Sequence, residues 1–133
     1  WKVKRVRQLG MNPEDLSEVL SQPATERAAR GKKAWIIDVR TEREYFNRKG
    51  RGYPDVNALH IPWTEFLTDK GRPNWRIKTR LLEYGISPNH TIVLISESGL
   101  RSAAATASLL SLGFGGATNA FGGYTQLFRK SRF

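Results

Sequence analysis

The chain has 133 residues, 22 of them Lys or Arg against 12 Asp or Glu, with 39% hydrophobic residues and no cysteine. That length holds one domain, which buries roughly two thirds of its unfolded surface and so folds unaided. The missing cysteines exclude disulfides, thiolate metal sites and any mechanism whose nucleophile is a thiolate.

No apolar stretch approaches the ~20 residues of a membrane-spanning helix, so a soluble domain is expected. Its expected setting is the cytoplasm or the matrix or stroma of an organelle rather than the secreted space. The chain opens on Trp1 rather than Met. It is therefore expected to be a fragment, a processed form or the ordered part of something longer, with any targeting peptide outside it. The net charge of +10 admits phosphate backbones, acidic membranes or an acidic protein surface as partners. The basic residues are dispersed, however, and no recognised nucleic-acid motif with interleaved aromatics accompanies them, so solvated faces are the plainer reading.

In chain order, residues 3–9 form a marginal edge strand. Asn12, Pro13, Glu14 and Asp15 then offer a cap, a first-turn proline and two carboxylates for a helix carrying Leu16, Val19 and Leu20. Residues 35–39 are a continuous apolar run rich in β-branched side chains, as a strand buried on both faces requires. Thr41 can cap a short helix through Glu42, Glu44, Tyr45 and Phe46. Residues 58–61 are a shorter strand ending at Pro62. Residues 75–84 place Ile77, Leu81 and Leu82 on one helix face before Gly85. Residues 91–95 repeat the buried-strand pattern, 102–112 form an alanine-rich helix stopping at Gly113, and 117–121 form a strand bracketed by glycines. A final amphipathic turn or two covers 124–128. Trp1, Trp35, Trp63 and Trp75 read as core or rim packing.

Strands alternating with helices in one small domain give an α/β fold with a largely parallel sheet. In such sheets sites form at the carboxyl ends of strands, which directs attention to Asp38 and Arg40 and to the stretch Ser96, Glu97, Ser98, Gly99, Leu100, Arg101 and Ser102. The second stretch runs from a buried strand through small residues into a helix, so its backbone N–H groups can converge as an anion cradle. Arg101 would add positive charge at the rim and Glu97 would subtract it. Asp38 and Arg40 read first as a structural ion pair.

These residues resemble the rhodanese-like domain of sulfurtransferases. Ile36 to Arg40 with Glu44 and Tyr45 is similar to the family's Asp-Val-Arg-x-x-x-Glu-[Tyr/Phe] motif, and 58–62 to its second strand. Residues 91–102 are similar to the strand and loop where the family writes Cys-x-x-Gly-x-Arg-Ser. Residues 112–114 and 121–124 are similar to its closing Leu-Gly-[Tyr/Phe] and Gly-Gly elements. The resemblance implies a single domain over 1–133, its core about 5–128, with a mostly parallel central sheet of about five strands flanked by helices. It also implies that Asp38 and Arg40 brace the loop.

In this register Ser96 stands where the family carries its persulfide-forming cysteine. A serine hydroxyl is hardly ionised at neutral pH and cannot hold sulfane sulfur through an S–S bond, so the chain as written is expected to be inactive in sulfur transfer. Glu97 adds a carboxylate that would repel thiosulfate. The family's Gly-His-Ile-Pro-Gly-Ala entry is replaced by residues 52–58. Serine catalysis lacks a base, because His90 lies before the strand that Ser96 follows and His60 lies on another strand. No Gly-x-Ser-x-Gly elbow surrounds Ser98, and two histidines make a poor metal site.

The expectation is therefore a non-catalytic binding or scaffolding module without cofactor or metal, whose loop takes a small anion (thiosulfate, sulfate or phosphate) or a protein partner. One alternative is a thiosulfate or persulfide sulfurtransferase whose cysteine was changed to serine. Another is a basic structural subunit of a larger, RNA-containing assembly.

Overall fold

The computed structural model describes residues 34–47 and 58–126. The expected elements at 3–9 and 12–20, the segment 52–57 and the end of the 124–128 turn lie outside the described residues. Among the described residues four parallel strands form one sheet in the order β2, β1, β3, β4: β1 Ala34–Asp38, β2 Leu59–His60, β3 Thr91–Ile95 and β4 Ala117–Asn119. The helices are α1 Glu42–Asn47, α2 Trp75–Glu83 and α3 Leu100–Ser111, with a 3-10 turn at Trp63–Glu65 and a helical turn at 123–126.

The two central strands pair over their full length, Ala34 against Thr91 through Asp38 against Ile95. Ile36, Ile37 and all of Ile92 to Ile95 are buried, which is why these segments read as unbroken apolar runs. Phe66, Ile77, Leu81, Ala105, Leu109 and Phe114 close the core over the sheet, and Trp35 and Trp63 pack partly buried against it.

Helix α1 starts on a reciprocal cap. Thr41 Oγ1 accepts from Glu44 N at 3.2 Å while Glu44 Oε1 accepts from Thr41 N at 3.2 Å and Thr41 Oγ1 at 2.9 Å. Helix α2 is capped by Asn74, whose side chain accepts from Arg76 N at 3.1 Å. Its buried side chains are Ile77 and Leu81, whereas Leu82 is 51% exposed, contrary to expectation. Leu82 lies about 100° around the helix from Leu81, off the narrow arc that Ile77 and Leu81 share. Trp75, expected in the core or at its rim, is 73% exposed on the same outward side as Leu82, away from the arc of Ile77 and Leu81.

Helix α3 starts at Leu100, two residues before the expected position. Gly99, at φ 96°, turns the chain, and its carbonyl accepts the first helical bond from Ala103 N at 3.1 Å. Leu100 and Arg101 therefore sit in the first helical turn.

Candidate active-site loop

The carboxyl ends of β1, β3 and β4 meet the start of α3 and the turn at 123–126. Ser96 leaves β3 fully buried, and its carbonyl accepts from Tyr124 N at 3.0 Å while that of Glu97 accepts from Thr125 N at 3.0 Å. The close approach requires a glycine, because a Cβ on Gly123 would lie 2.0 Å from the Ser96 carbonyl oxygen. The glycine pair following β4 thus seats the loop.

The Ser96 side chain points into the loop. Its Oγ accepts from Gly99 N at 3.1 Å and Ser102 N at 3.2 Å and lies 2.9 Å from Ser102 Oγ. Ser102 Oγ donates its single proton to Asn119 Oδ1 at 2.6 Å, so the proton between the two hydroxyls belongs to Ser96. Ser96 therefore makes one donation and two acceptances, the full capacity of a hydroxyl. The backbone donors converge on Oγ itself, and no histidine takes its proton. His60 Nε2 lies 2.9 Å from the Arg40 carbonyl with its ring stacked on Tyr45, and His90 Nδ1 accepts from Trp35 Nε1 and Ser87 N.

Beneath the loop, Asp38 and Arg40 are both fully buried. Arg40 donates from Nε and Nη2 to the Asp38 carboxylate at 3.0 to 3.2 Å and from Nη1 to Glu97 Oε2 at 3.1 Å. Tyr124 donates its hydroxyl to Asp38 Oδ2 at 3.0 Å, and its ring lies 4.3 Å below the Arg40 guanidinium. Burial works against the Arg40 charge, but hydrogen bonding and attraction from Asp38, with help from Tyr124 and Glu97, hold the guanidinium above its usual range. The pair expected to brace the loop is thus placed directly under it, with Glu97 as the contact.

Arg101 does not stand alone at the rim. Its Nη1 and Nη2 fork onto Glu44 Oε1 and Oε2 of α1, at 2.5 and 2.8 Å. Hydrogen bonding to Arg101 carries the Glu44 carboxyl down to about 2, against its partial burial, with Thr41 assisting. Gly99 is buried, while Ser98 and Leu100 face outward, Leu100 being 73% exposed. Sequence reasoning gave Glu44 a helix-end role and placed it and Tyr124 within family motifs, but assigned neither of them, nor Asn119, to the site. A polar Asn next to Ala120 at the end of a short, largely buried strand was the available signal for Asn119. Among the described residues no cluster of three His, Cys, Asp or Glu side chains could hold a metal.

The family profile described as the rhodanese-like domain matches residues 17–130. The chain belongs to that family. Solved rhodanese relatives agree in fold. The human single domain sulfurtransferase TSTD1 is 25% identical, with 92% of this chain and 96% of that one covered and a TM-score of 0.57. A rhodanese-related protein from Thermoplasma volcanium is 21% identical over 91% of each chain, TM-score 0.58. A rhodanese-like domain protein from Staphylococcus aureus is 21% identical over 89% of each, TM-score 0.57. Among curated proteins no sequence matches. The rhodanese-like fold here is α/β with a parallel sheet, and no helix among the described residues is long and apolar enough to cross a membrane.

Proposed function

We propose that this rhodanese-like domain is a non-catalytic binding module in which Ser96 occupies the persulfide position and closes the loop instead of carrying sulfur. The supporting observation is the saturated Ser96 hydroxyl: two backbone N–H donors and Ser102 engage it in a chain with no cysteine. Sulfur transfer needs a thiolate to attack sulfane sulfur, break the S–S bond of thiosulfate, release sulfite and retain the sulfur as a persulfide. A buried, fully bonded hydroxyl has neither the free electron pair nor the charge for that attack.

The charges around the loop favour a partner of modest demands. Arg101 is matched by Glu44 and Arg40 by Asp38 and Glu97, so neither of these two guanidiniums is left uncompensated to face a bound anion. Affinity for thiosulfate, sulfate or phosphate would then rest on the backbone N–H groups at the start of α3 other than those of Gly99 and Ser102, which Ser96 engages. A protein segment seated on the exposed Ser98 and Leu100 is the other occupant of the same module.

The same geometry defines the alternative, a sulfurtransferase in which serine replaces a native cysteine, since donors that meet a hydroxyl would also meet a thiolate. Thiocyanate production from thiosulfate and cyanide, run beside amide-shift titrations with sulfate, separates the readings. The binding-module reading expects no turnover and weak, salt-sensitive shifts confined to residues near 96–102. Turnover by the serine protein would overturn it.

A further inference from the structure

Helix α2 presents an outward face that neither the core nor the loop uses. Trp75 and Leu82, 73% and 51% exposed, are seven residues apart and so lie on one stripe about 10 Å long. Lys78 lies between them, its ammonium 5.7 Å from the Trp75 ring centre, and Arg76 flanks the stripe. Lys70 and Arg72, in the exposed loop leading into the helix, extend the positive border. Among the described residues none of these four cations is in an ion pair, whereas Arg80 is paired with Glu65 at 3.1 Å.

We propose that this face docks an acidic amphipathic helix of a partner protein. Its apolar residues would cover Trp75 and Leu82, and its carboxylates would meet Lys78 and Arg76. An aromatic and an aliphatic side chain at helical spacing match an i, i+3, i+7 stripe on a second helix, and a large exposed aromatic with a cation beside it is a strong anchor at such contacts. Charge complementarity then selects an acidic partner over a basic one.

The neighbouring surface argues against a polyphosphate or a bilayer as the occupant. An open groove of about 560 Å³ runs beside the stripe, and Glu65 and Glu83 line it together with Arg76 and Arg80. A concave wall suits a protruding side chain better than a flat membrane. Leu82 offers nothing to a nucleic-acid backbone.

The test is selection on the intact chain from a displayed library of short helical segments with unbiased charge. Two variants follow the binding: Trp75→Ala with Leu82→Ser, and Arg76→Glu with Lys78→Glu. All four substitutions leave the buried Ile77 and Leu81 in place, and Arg76→Glu keeps the backbone N–H that donates to the Asn74 side chain, so α2 is retained, as circular dichroism and the melting midpoint would verify. Acidic amphipathic segments should be enriched, and each double variant should weaken their binding by roughly ten-fold or more. No enrichment, enrichment of basic segments, or equal binding to the variants would overturn the proposal. So would oligouridine or phosphatidylserine vesicles binding through this face more tightly than any selected segment.

Discussion

Arg101, at the start of α3, forks onto Glu44 of α1 across 57 positions of sequence, with Nη2 2.8 Å from Oε2. One carboxylate thus completes the Thr41 cap and fixes the cation of the site loop. Position and charge are coupled: the loop is tied to α1, and Arg101 loses the free charge that would draw in an anion.

This coupling has a pH signature. The Glu44 carboxyl is lowered from 4.5 to about 2, chiefly by Arg101. A depressed carboxyl contributes stability that is complete above its unfolded value and lost as pH falls toward the folded one. The stability difference between wild type and Glu44→Gln should therefore be constant at neutral pH and shrink between pH 4.5 and about 2. Urea midpoints measured across that range, with the Glu44 carboxyl followed by NMR, test it. A difference that did not change with pH would show that the ion pair adds nothing.

Removing the Ser96 hydroxyl should be costly for so small a change. Ser96→Ala strips the N–H groups of Gly99 and Ser102 of their acceptor and leaves Ser102 Oγ without its donor, all in a buried site. A loss of about 1–3 kcal/mol in unfolding free energy is expected. Faster hydrogen exchange at the Gly99 and Ser102 amides should accompany it. Unchanged stability and exchange would mean that these bonds contribute little in solution.

Gly123→Ala should be worse. Its methyl would fall 2.0 Å from the Ser96 carbonyl and 2.8 Å from that of Glu97, so the loop or the 123–126 turn must move. The expected cost is roughly 3 kcal/mol from the combined steric and left-handed backbone penalty. Denaturant midpoints of this variant and of Gly115→Ala, where a Cβ meets open space, provide the comparison. Similar losses at both positions would remove the role assigned to Gly123.

Position 97 tunes any chemistry restored at 96. A Ser96→Cys thiol would sit among N–H donors that favour the thiolate, with the Glu97 charge next in sequence opposing it. Arginine at 97 would confront the buried Arg40, whereas Glu97→Gln removes the charge and keeps an oxygen for Arg40 Nη1. The double variant Ser96→Cys, Glu97→Gln should alkylate with a lower apparent pKa and form thiocyanate faster than Ser96→Cys. Identical pH profiles for the two would exclude electrostatic control by Glu97.

How far the sequence reaches depends on the range of each interaction. Strands β1 and β3 are legible because burial on both faces demands unbroken apolar residues, and Thr41 with Glu44 announces α1 because a capping box is local. The exposure of Leu82 follows from helix geometry that a count of nearby apolar residues conceals. Trp75 is misread because hydrophobicity states a preference for burial, whereas whether anything covers the side chain is set by tertiary packing. The Glu44–Arg101 fork and the Ser96, Ser102 and Asn119 chain join distant segments, and only the fold brings them together. The family motifs directed attention to Ser96; its saturated hydroxyl emerges from the geometry.

The central claim is that position 96 holds the loop together and carries no sulfur. Intact-protein mass spectrometry after incubation with thiosulfate tests it most directly, with Ser96→Cys run in parallel. The serine protein should keep its mass, and the cysteine variant should gain one sulfur atom that cyanide removes. A cyanide-labile sulfur on the serine protein would contradict it.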